Sequence, residues 1–530
     1  MPDSQTIESA TTALATRTPQ PDTKTRRYDR QLRLWAASGQ AALESARVLV
    51  ISGSATSTSI LKNLVLPGIG HFTILDHERV SPADAGNNFF LEGQSSVGKF
   101  RAEEAVRLLR ELNDGVEGKA DTRIIEQVLD NDPAFITSFS LVIAHNLNEN
   151  TVARIAKLLW EDETYPSFVV VRSSGFLAEF SIQFHEHTVI ESHSETAPTL
   201  RIDKPFPALL EYANSLDFTN MDPTEHSHIP YVVILVRVLE DWKKSHNGAA
   251  PKTYEEKKEF KKTITAMKVK VDEENFDEAE AQAYRCWTES SVPSEIAALF
   301  QDPKAFSAAS SSSSTSPFFA LLAALRAFTV QHDPPQVLPL SATLPDMKSN
   351  TVNYVHLQTL YKKRAEEEKA QFKKYLALSG GAGIDDALID SFVKNAHALK
   401  LLRGRQWTSV HSSAETLGNS MAMNSKHVST HLALASLSSL QAKQADTKVT
   451  TEALTAEAAT LLPSGLELPE EWDEAAGEIA RSPNADLPNM AALLGGLVAQ
   501  EVIKMITKQY VPINGYCVVD LIEMWTGVVG

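Results

Sequence analysis

Short apolar runs alternate with segments of helical periodicity between Ala46 and Phe184. Four β-branched runs are typical of buried strands: RVLVIS (47–52), HFTILD (71–76), SLVIAH (140–145) and FVVVR (168–172). Three segments between them have helical spacing: SILKNLVL (59–66), GKFRAEEAVRLLREL (98–112) and VARIAKLLW (152–160). This order predicts a mostly parallel sheet with helices on both faces. The last run, FLAEFSIQF (176–184), alternates apolar and polar residues, which predicts a half-exposed antiparallel strand.

The same combination of helix and strand patterns occurs again near the end of the chain. LPNMAALLGGLVAQEVIKMITK (487–508) predicts a long apolar helix, and GYCVVDLIEMW (515–525) predicts a strand. Gly495 and Gly496 lie inside that helix, where each costs about 1 kcal/mol relative to alanine. We expect that cost to persist because the bare backbone packs closely, against the sheet.

The middle of the chain is different, because its apolar residues follow helical spacing over long charged segments. It also contains a serine-rich loop, SAASSSSSTSP (307–317). We therefore expect an α/β domain interrupted by an insertion. The predicted parts are a flexible tail at 1–25, the first part of the α/β domain at 26–260, a mostly helical insertion at 261–478, and the second part at 479–530.

Composition narrows the possible partners and compartments. A formal charge of −17 argues against a nucleic-acid partner, since phosphate binding needs a basic face. Cys286 and Cys517 are too few for a disulfide framework, which favours a reducing compartment, the cytoplasm and nucleus. We see no apolar run of the roughly 18 residues that a membrane helix needs, and residues 1–25 contain no secretory signal.

The stretch ARVLVISGSATSTSILKNL (46–64) has the outline of a nucleotide-binding strand, turn and helix. Such a turn uses three glycines at GxGxxG spacing, followed about 20 residues later by an acid for the ribose. Here the glycine positions hold Ser52, Ser54 and Ser57, while Asp76 stands where the acid belongs. A side chain at Ser54 would crowd a phosphate, so the favoured interpretation is a Rossmann-like fold whose turn binds no nucleotide. In that interpretation Asp76 caps a loop or the next helix.

The segment YDRQLRLWAASGQAALESARVLVISG (28–53) resembles the opening of the ubiquitin-like protein activating enzymes. Other stretches share the resemblance: LKNLVLPGIGHFTILD (61–76), DAGNNFFL (84–91), VGKFRAEEA (97–105), VIESH (189–193), LRIDKPFP (200–207) and GGLVAQEVIKMITKQY (495–510). Within that family, the chain is most similar to the regulatory subunits of the enzymes that activate the Nedd-type (Rub) modifier. The length and the large insertion favour this group over the shorter SUMO-pathway subunits.

The resemblance implies a ThiF/MoeB-type adenylation fold, with the insertion corresponding to a pseudo catalytic-cysteine region. In the family, the modifier's C-terminal carboxylate attacks the α-phosphorus of ATP and releases pyrophosphate, and a cysteine thiol then captures the adenylate as a thioester. The regulatory subunit performs neither step alone. The implied partners are the catalytic subunit, in a heterodimer that holds ATP and magnesium, and the Nedd-type modifier; we expect no nucleic acid and no membrane.

Departures from the family's catalytic pattern indicate a degenerate ATP site in this chain. Gly86-Asn87-Asn88 lacks the arginine of the catalytic N-R-Q run, and Arg101 replaces a lysine. No aspartate lies between Leu141 and Glu161 to bind magnesium, although Glu149 is nearby. Together with the serine turn, these losses predict a pseudoenzyme.

The resemblance implies a functional contribution from Arg30. In this family, the arginine of the Y-D-R-Q opening reaches across the dimer into the partner's ATP site. Its guanidinium would act there as an arginine finger that neutralises phosphate charge. The alternative is a surface arginine paired with Asp29 or another acid.

Other candidate residues have structural interpretations. No family motif surrounds Cys286, so we expect a structural thiol, and Cys517 lies in an apolar run as a buried small hydrophobe. The histidines at 185, 187, 193, 226 and 228 lack accompanying acids or cysteines, so we expect no metal site. The apolar segment VLPLSATLPDM (337–347) is either a docking segment for the catalytic subunit or a buried core loop.

Three functions remain in competition. The first is the regulatory subunit that lends Arg30 to a catalytic partner for a Nedd-type modifier, or its SUMO-pathway equivalent. The second is a self-sufficient adenylating enzyme or nucleotide-dependent oxidoreductase, which an intact glycine turn would have favoured. The third is a scaffold in which Arg30 is incidental.

Overall fold

The computed structural model describes residues 22–192, 199–307, 316–407, 413–443 and 448–530. The chain divides into two units, of which the first comprises Met1–His187 and Leu402–Gly530 and the second comprises Thr188–Leu401. The first unit is discontinuous, as the returning α/β texture predicts. Of the predicted tail at 1–25, residues 1–21 lie outside the described residues, and a helix begins at Thr23 with Asp22 as its N-cap.

The first unit is built on a mixed eight-stranded sheet with the order β10-β9-β6-β5-β4-β1-β2-β3. Its strands are β1 (Arg47–Ile51), β2 (His71–Leu75), β3 (Glu117–Asp121), β4 (Leu141–His145), β5 (Ser167–Ser174), β6 (Leu177–Gln183), β9 (Tyr516–Asp520) and β10 (Trp525–Val529). The first five strands are parallel, with Val48 of β1 opposite Phe72 on one side and Leu141 on the other. The last three are antiparallel. The Rossmann-like α/β class is therefore confirmed, and the end of the chain does rejoin the first part.

Helices cover both faces of this sheet. They span Thr23–Ser45, Ala55–Val65, Pro82–Asn87, Arg101–Arg110, Ile125–Asn131, Pro133–Thr137, Glu149–Leu159, Ala414–Met423, Ser425–Lys443, Thr451–Leu461, Trp472–Arg481 and Pro488–Thr507. Alternate residues of β1 face opposite sides, since side chains of a strand alternate. Leu49 packs in the same core as Val428 and Leu432, whereas Val50 packs with Leu61 and Val498.

Strand β6 corrects one expectation, because it is buried along its whole length rather than half-exposed. It is antiparallel to β5 as predicted. The helix Ser425–Lys443 covers the face that carries Glu179, and His431 of that helix bonds the Glu179 carboxylate at 2.8 Å. Arg172 of β5 pairs with the same carboxylate. Glu179 therefore has a partner from each of two other elements inside the core, Arg172 and His431.

The second unit is almost entirely helical. Its helices span Pro207–Ser215, Pro223–His226, Tyr231–Ser245, Tyr254–Ala266, Glu274–Gln282, Ser294–Leu299, Pro303–Ser307, Pro317–Gln331, Thr351–Leu378 and Asp386–Lys394. The strands β7 (Glu186–Val189) and β8 (Lys400–Arg403) form a two-stranded sheet at the two points where the chain passes between units.

The predicted insertion boundaries, 261 and 478, are both displaced in the structure. Residues 188–260 belong to the helical unit, since Tyr231–Ser245 packs in its core. Residues 402–478 belong to the sheet unit, where Leu417, Leu454 and Trp472 pack in the core that contains Leu49. Both stretches have helical sequence patterns, so only their tertiary packing shows to which unit each belongs.

The segment 337–347 is a core loop of the second unit, so the alternative of a docking segment is wrong. Val337, Leu338, Leu340 and Leu344 are all buried. Part of the predicted serine-rich loop, residues 308–315, lies outside the described residues.

The C-terminal helix, Pro488–Thr507, packs on the helix Ala55–Val65 and not on the sheet at its glycines. A Cβ at Gly495 would stand 2.8–2.9 Å from atoms of Ser59, including its backbone, whereas Gly496 faces open space. By length and composition alone this helix could cross a membrane, which the sequence expectation missed. In the structure its apolar residues Leu494 and Val498 lie in the core of the sheet unit.

Candidate functional site

The serine turn keeps the backbone shape of a nucleotide-binding turn although it lacks the glycines. Ser52 has a φ of +91°, a left-handed conformation that favours glycine. Ser54 is the N-cap of the helix Ala55–Val65, and its hydroxyl accepts a hydrogen bond from the Ser57 amide at 3.1 Å. A bound phosphate usually accepts such bonds at this place. Here the chain supplies its own acceptor.

The Ser54 hydroxyl is also held from the next strand of the sheet. His145, at the end of β4, lies 2.7 Å from it through Nδ1 and 2.9 Å from the Ser173 hydroxyl through Nε2. Burial lowers the pKa of His145, which favours the neutral imidazole. The histidine therefore fixes the turn by hydrogen bonds and brings no positive charge to a phosphate position.

Asp76, the acid expected at a ribose, is fully engaged within the chain. Its carboxylate accepts from the amides of Gly53 at 2.6 Å and Glu78 at 2.9 Å, and from Arg101 Nε at 2.6 Å. Arg101 also reaches Asp84 at 3.2 Å. Burial opposes ionisation of Asp84, but hydrogen bonds from Ser81 and the charge of Arg101 outweigh it and lower its pKa. Asp76 thus caps the loop that follows β2, which was one of the two predicted alternatives, and it also holds the turn and a neighbouring arginine.

The residues that replace catalytic family positions are likewise structural. Asn88 accepts a bond from the Thr58 hydroxyl at 2.9 Å and donates to the Gly53 carbonyl at 3.1 Å. Glu149 begins the helix after β4, and burial raises its pKa, which disfavours the charged form that a cation would need. In the described residues, no group of three histidines, cysteines or acids could hold a metal ion.

Asp486 is a residue that the sequence did not suggest, and it lies directly at the start of the helix Ala55–Val65. Its carboxylate accepts from the Thr56 hydroxyl at 2.6 Å and from the Thr56 amide at 3.2 Å. Thr56 and Asp486 are 430 residues apart in the chain. The segment before the C-terminal helix places a negative group where the helix presents its positive end.

A cleft of about 750 Å³ remains beside the turn. Its lining includes Ser54, Asp76, Arg101, His145 and Asp486. The space was therefore not filled by the serines. Within the cleft, Arg101 is paired to Asp76 and Asp84, and the start of the helix Ala55–Val65 is bonded to the Asp486 carboxylate.

Arg30 lies on the exposed first half of the helix Thr23–Ser45. Asp29 pairs with Arg33 at 3.0 Å and not with Arg30. Within residues 22–192 and the other described ranges, no acid forms an ion pair with Arg30. This guanidinium is accessible to another molecule.

The two cysteines occupy different environments. Cys286 is fully buried in the core of the helical unit, and burial strongly raises the pKa of its thiol. This position excludes a nucleophile and agrees with the structural interpretation. Cys517 was expected to be buried and is partly buried on β9, where it packs against the core of the sheet unit and burial raises its pKa to about 11.

The histidines have separate structural roles. His185 stacks on Trp160 with ring centroids 3.8 Å apart, whereas His187 is buried, which lowers its pKa to about 4. His226 bonds the buried Glu273 at 2.8 Å. His193 lies outside the described residues.

Comparisons with known proteins agree on one family. The ThiF family matches residues 28–147, which contain Arg30 and the serine turn. The chain is 35% identical to the NEDD8-activating enzyme E1 regulatory subunit of Xenopus laevis, over 93% of this chain and 96% of that protein. It is 35% identical to the protein of the same name from Gallus gallus, over 93% and 95%. It is 34% identical to the NEDD8-activating enzyme E1 regulatory subunit AXL of Arabidopsis thaliana, over 94% and 97%.

Proposed function

This chain belongs to the family of NEDD8-activating enzyme E1 regulatory subunits, and from that premise we propose that it is the non-catalytic half of a heterodimeric activating enzyme. The catalytic partner holds ATP and magnesium, adenylates the C-terminal glycine of a NEDD8-type modifier and carries the cysteine that receives it. This chain contributes Arg30 and binding surface. Its free cysteines fit a reducing compartment, the cytoplasm and nucleus.

The observation that carries the proposal is a contrast between two cations of the sheet unit. Arg101, inside the chain's own cleft, is paired to Asp76 and Asp84. Arg30 is exposed and forms no ion pair among the described residues. A guanidinium that is already paired to acids of its own chain has few N–H groups left to bind a phosphate. An exposed guanidinium on a helix can enter a partner's site.

The size of the Arg30 contribution follows from the strength of one charged contact. A hydrogen bond to a charged group contributes about 1.5–3 kcal/mol. At 1.36 kcal/mol per decade of rate, its loss slows adenylation about 10- to 100-fold. Lysine cannot form the planar two-pronged contact, so Arg30→Lys recovers only part of the activity.

Pyrophosphate exchange in a mixture of this chain, a catalytic subunit, modifier and ATP tests the proposal. We expect no exchange with the chain alone, exchange with the mixture, and a loss of about 10- to 100-fold with Arg30→Ala. Arg33→Ala is the matched control, because Arg33 lies on the same helix, is exposed and pairs only with Asp29 in the described structure. Size-exclusion chromatography verifies that each variant still forms the heterodimer.

Three outcomes would reject the proposal. Exchange by the isolated chain would identify a self-sufficient adenylating enzyme. Equal exchange with Arg30→Ala and Arg33→Ala would make Arg30 incidental and leave a scaffold. Loss of heterodimer in Arg30→Ala alone would assign the guanidinium to assembly instead of to phosphate.

A further inference from the structure

Most of the backbone amides at the start of the helix Ala55–Val65 are bonded to groups of the chain itself. Four of the six backbone amides from Ser52 to Ser57 have internal acceptors: the Leu75 carbonyl, Asp76, Asp486 and the Ser54 hydroxyl. Two of those acceptors are carboxylates. A helix of 11 residues with its positive end turned towards a 750 Å³ cleft would otherwise attract an anion.

We propose that Asp486 is a built-in anion that takes the place of a nucleotide phosphate and so excludes phosphates from the cleft. Its two carboxylate oxygens contact the amide and hydroxyl of the same residue, Thr56, which is the manner in which a phosphate contacts a helix start. The inference stands on this cleft alone, and it does not require the partner-subunit role.

The C-terminal helix holds Asp486 in position. Gly495 of that helix lies against Ser59, where an added Cβ would stand 2.8–2.9 Å from Ser59 atoms, including its backbone. The close approach of the two helices brings the segment before Pro488 to the start of the other helix. Asp486 lies two residues before that helix, so a phosphate would have to displace a carboxylate that is tethered to it.

The charges that face Asp486 also disfavour a second anion. His145 is buried, and burial lowers its pKa, so it adds no positive charge near neutral pH. Arg101 is neutralised by Asp76 and Asp84. Removing the Asp486 carboxylate therefore removes a direct repulsion and frees one amide and one hydroxyl at the helix start.

Binding of inorganic pyrophosphate to the isolated chain, measured by calorimetry, tests the inference. We expect no saturable binding by the native chain and at least about tenfold tighter binding by Asp486→Ala. Amide exchange adds a local readout. The peptide that covers Thr56 exchanges faster in Asp486→Ala, and pyrophosphate slows it again.

Glu78→Gln is the matched control, because Glu78 is an exposed acid that lines the same cleft and its side chain is not bonded to the helix start. If Glu78→Gln gains as much binding as Asp486→Ala, the effect is general electrostatics and the inference is wrong. It is equally wrong if Asp486→Ala gains none. Should Asp486→Ala fail to fold, Asp486→Asn retains an acceptor oxygen without the charge and carries the same test. None of these results depends on the exchange assay with the partner.

Discussion

The buried carboxylate of Glu368 should hold the core loop of the helical unit in place. It lies on the helix Thr351–Leu378 and is 1% exposed. It accepts two bonds from Arg201, at 2.7 and 2.8 Å, one from Arg364 at 2.7 Å and one from the Leu340 amide at 2.8 Å. Leu340 belongs to the segment 337–347, so this single acid ties that segment to the helix.

The magnitude follows from the pKa of Glu368. Burial alone would raise it, but the hydrogen bond from His332 and the charge of Arg201 lower it from 4.5 to about 2. A depressed carboxylate pKa contributes stability above the unfolded value of 4.5, and this stability is lost as the pH falls from 4.5 towards 2. Lowering the pKa from 4.5 to about 2 corresponds to roughly 3 kcal/mol of stability. Removing one member of a buried pair costs a similar 3–5 kcal/mol or so.

Amide exchange at Leu340 measures this contribution locally, which matters because a chain with two units need not unfold in one step. We expect Glu368→Gln to speed exchange of the peptide that contains Leu340 about 100-fold at neutral pH, the equivalent of roughly 3 kcal/mol. In the native chain, protection of the same peptide should fall below pH 4.5, after correction for the intrinsic exchange rate, and Glu368→Gln should lack that fall.

Glu366→Gln is the control on the same helix. Glu366 pairs with Lys369 at 2.9 Å but is 68% exposed, so its pair contributes little. Equal protection of Leu340 in the native chain and in Glu368→Gln would refute the reasoning. A pH-independent protection in the native chain would refute the assigned pKa.

Two further predictions concern the glycine pair and the thiols. Gly495→Ala should destabilise the sheet unit by about 1–3 kcal/mol, because its Cβ would overlap Ser59. Gly496→Ala should stabilise it by up to about 1 kcal/mol, since that position is open and alanine favours a helix. Thermal unfolding of the two variants compares them, and equal shifts of the unfolding temperature would contradict the packing. Iodoacetamide at pH 8 should label Cys517 before Cys286 in the native chain, because burial raises the Cys286 pKa further and removes access. Cys286→Ser should leave thioester formation on the partner intact, and a lost thioester would overturn the structural role.

The sequence predicted the sheet well because strand and helix periodicities are local properties. The runs at 47–52, 71–76, 140–145 and 168–172 contain the strands β1, β2, β4 and most of β5. The weakly patterned strand β3 (Glu117–Asp121) was missed, since EGKAD is polar and lies next to β2 at the sheet edge. Edge strands need no continuous apolar face, so periodicity does not reveal them.

The predicted domain boundaries differ from those of the structure for another reason. The helix Ser425–Lys443 has buried residues on almost all sides, so no amphipathic stripe shows which surface it contacts. Its serines and alanines pack between the sheet and the helices Thr451–Leu461 and Trp472–Arg481. Sequence identifies such a segment as helical, but only the folded chain shows that it belongs with the sheet.

The sequence predicted some residues of the candidate site and missed others. Ser54 and Asp76 follow from a known spacing within one βαβ region and Arg101 from the family resemblance, and the three do meet at the turn. Asp486 was missed because 430 residues separate it from Thr56 and no local pattern marks it. His145 ends β4, and the rule that parallel strands present their carboxyl ends at one edge could have identified it.

The serine turn is best explained by the needs of the helix that it starts. In a nucleotide-binding turn the phosphate accepts bonds from the helix amides, and in its absence these amides need other acceptors. Ser54 and Asp486 provide them, while Ser52 retains the left-handed backbone at φ +91° that the turn geometry requires. Replacing Ser54 alone by glycine would therefore remove the cap at a cost of roughly a few tenths of a kcal/mol without freeing the helix start, because the Asp486 carboxylate would still be bonded there. Recovery of phosphate binding requires removal of the acid first, and the glycines matter only afterwards.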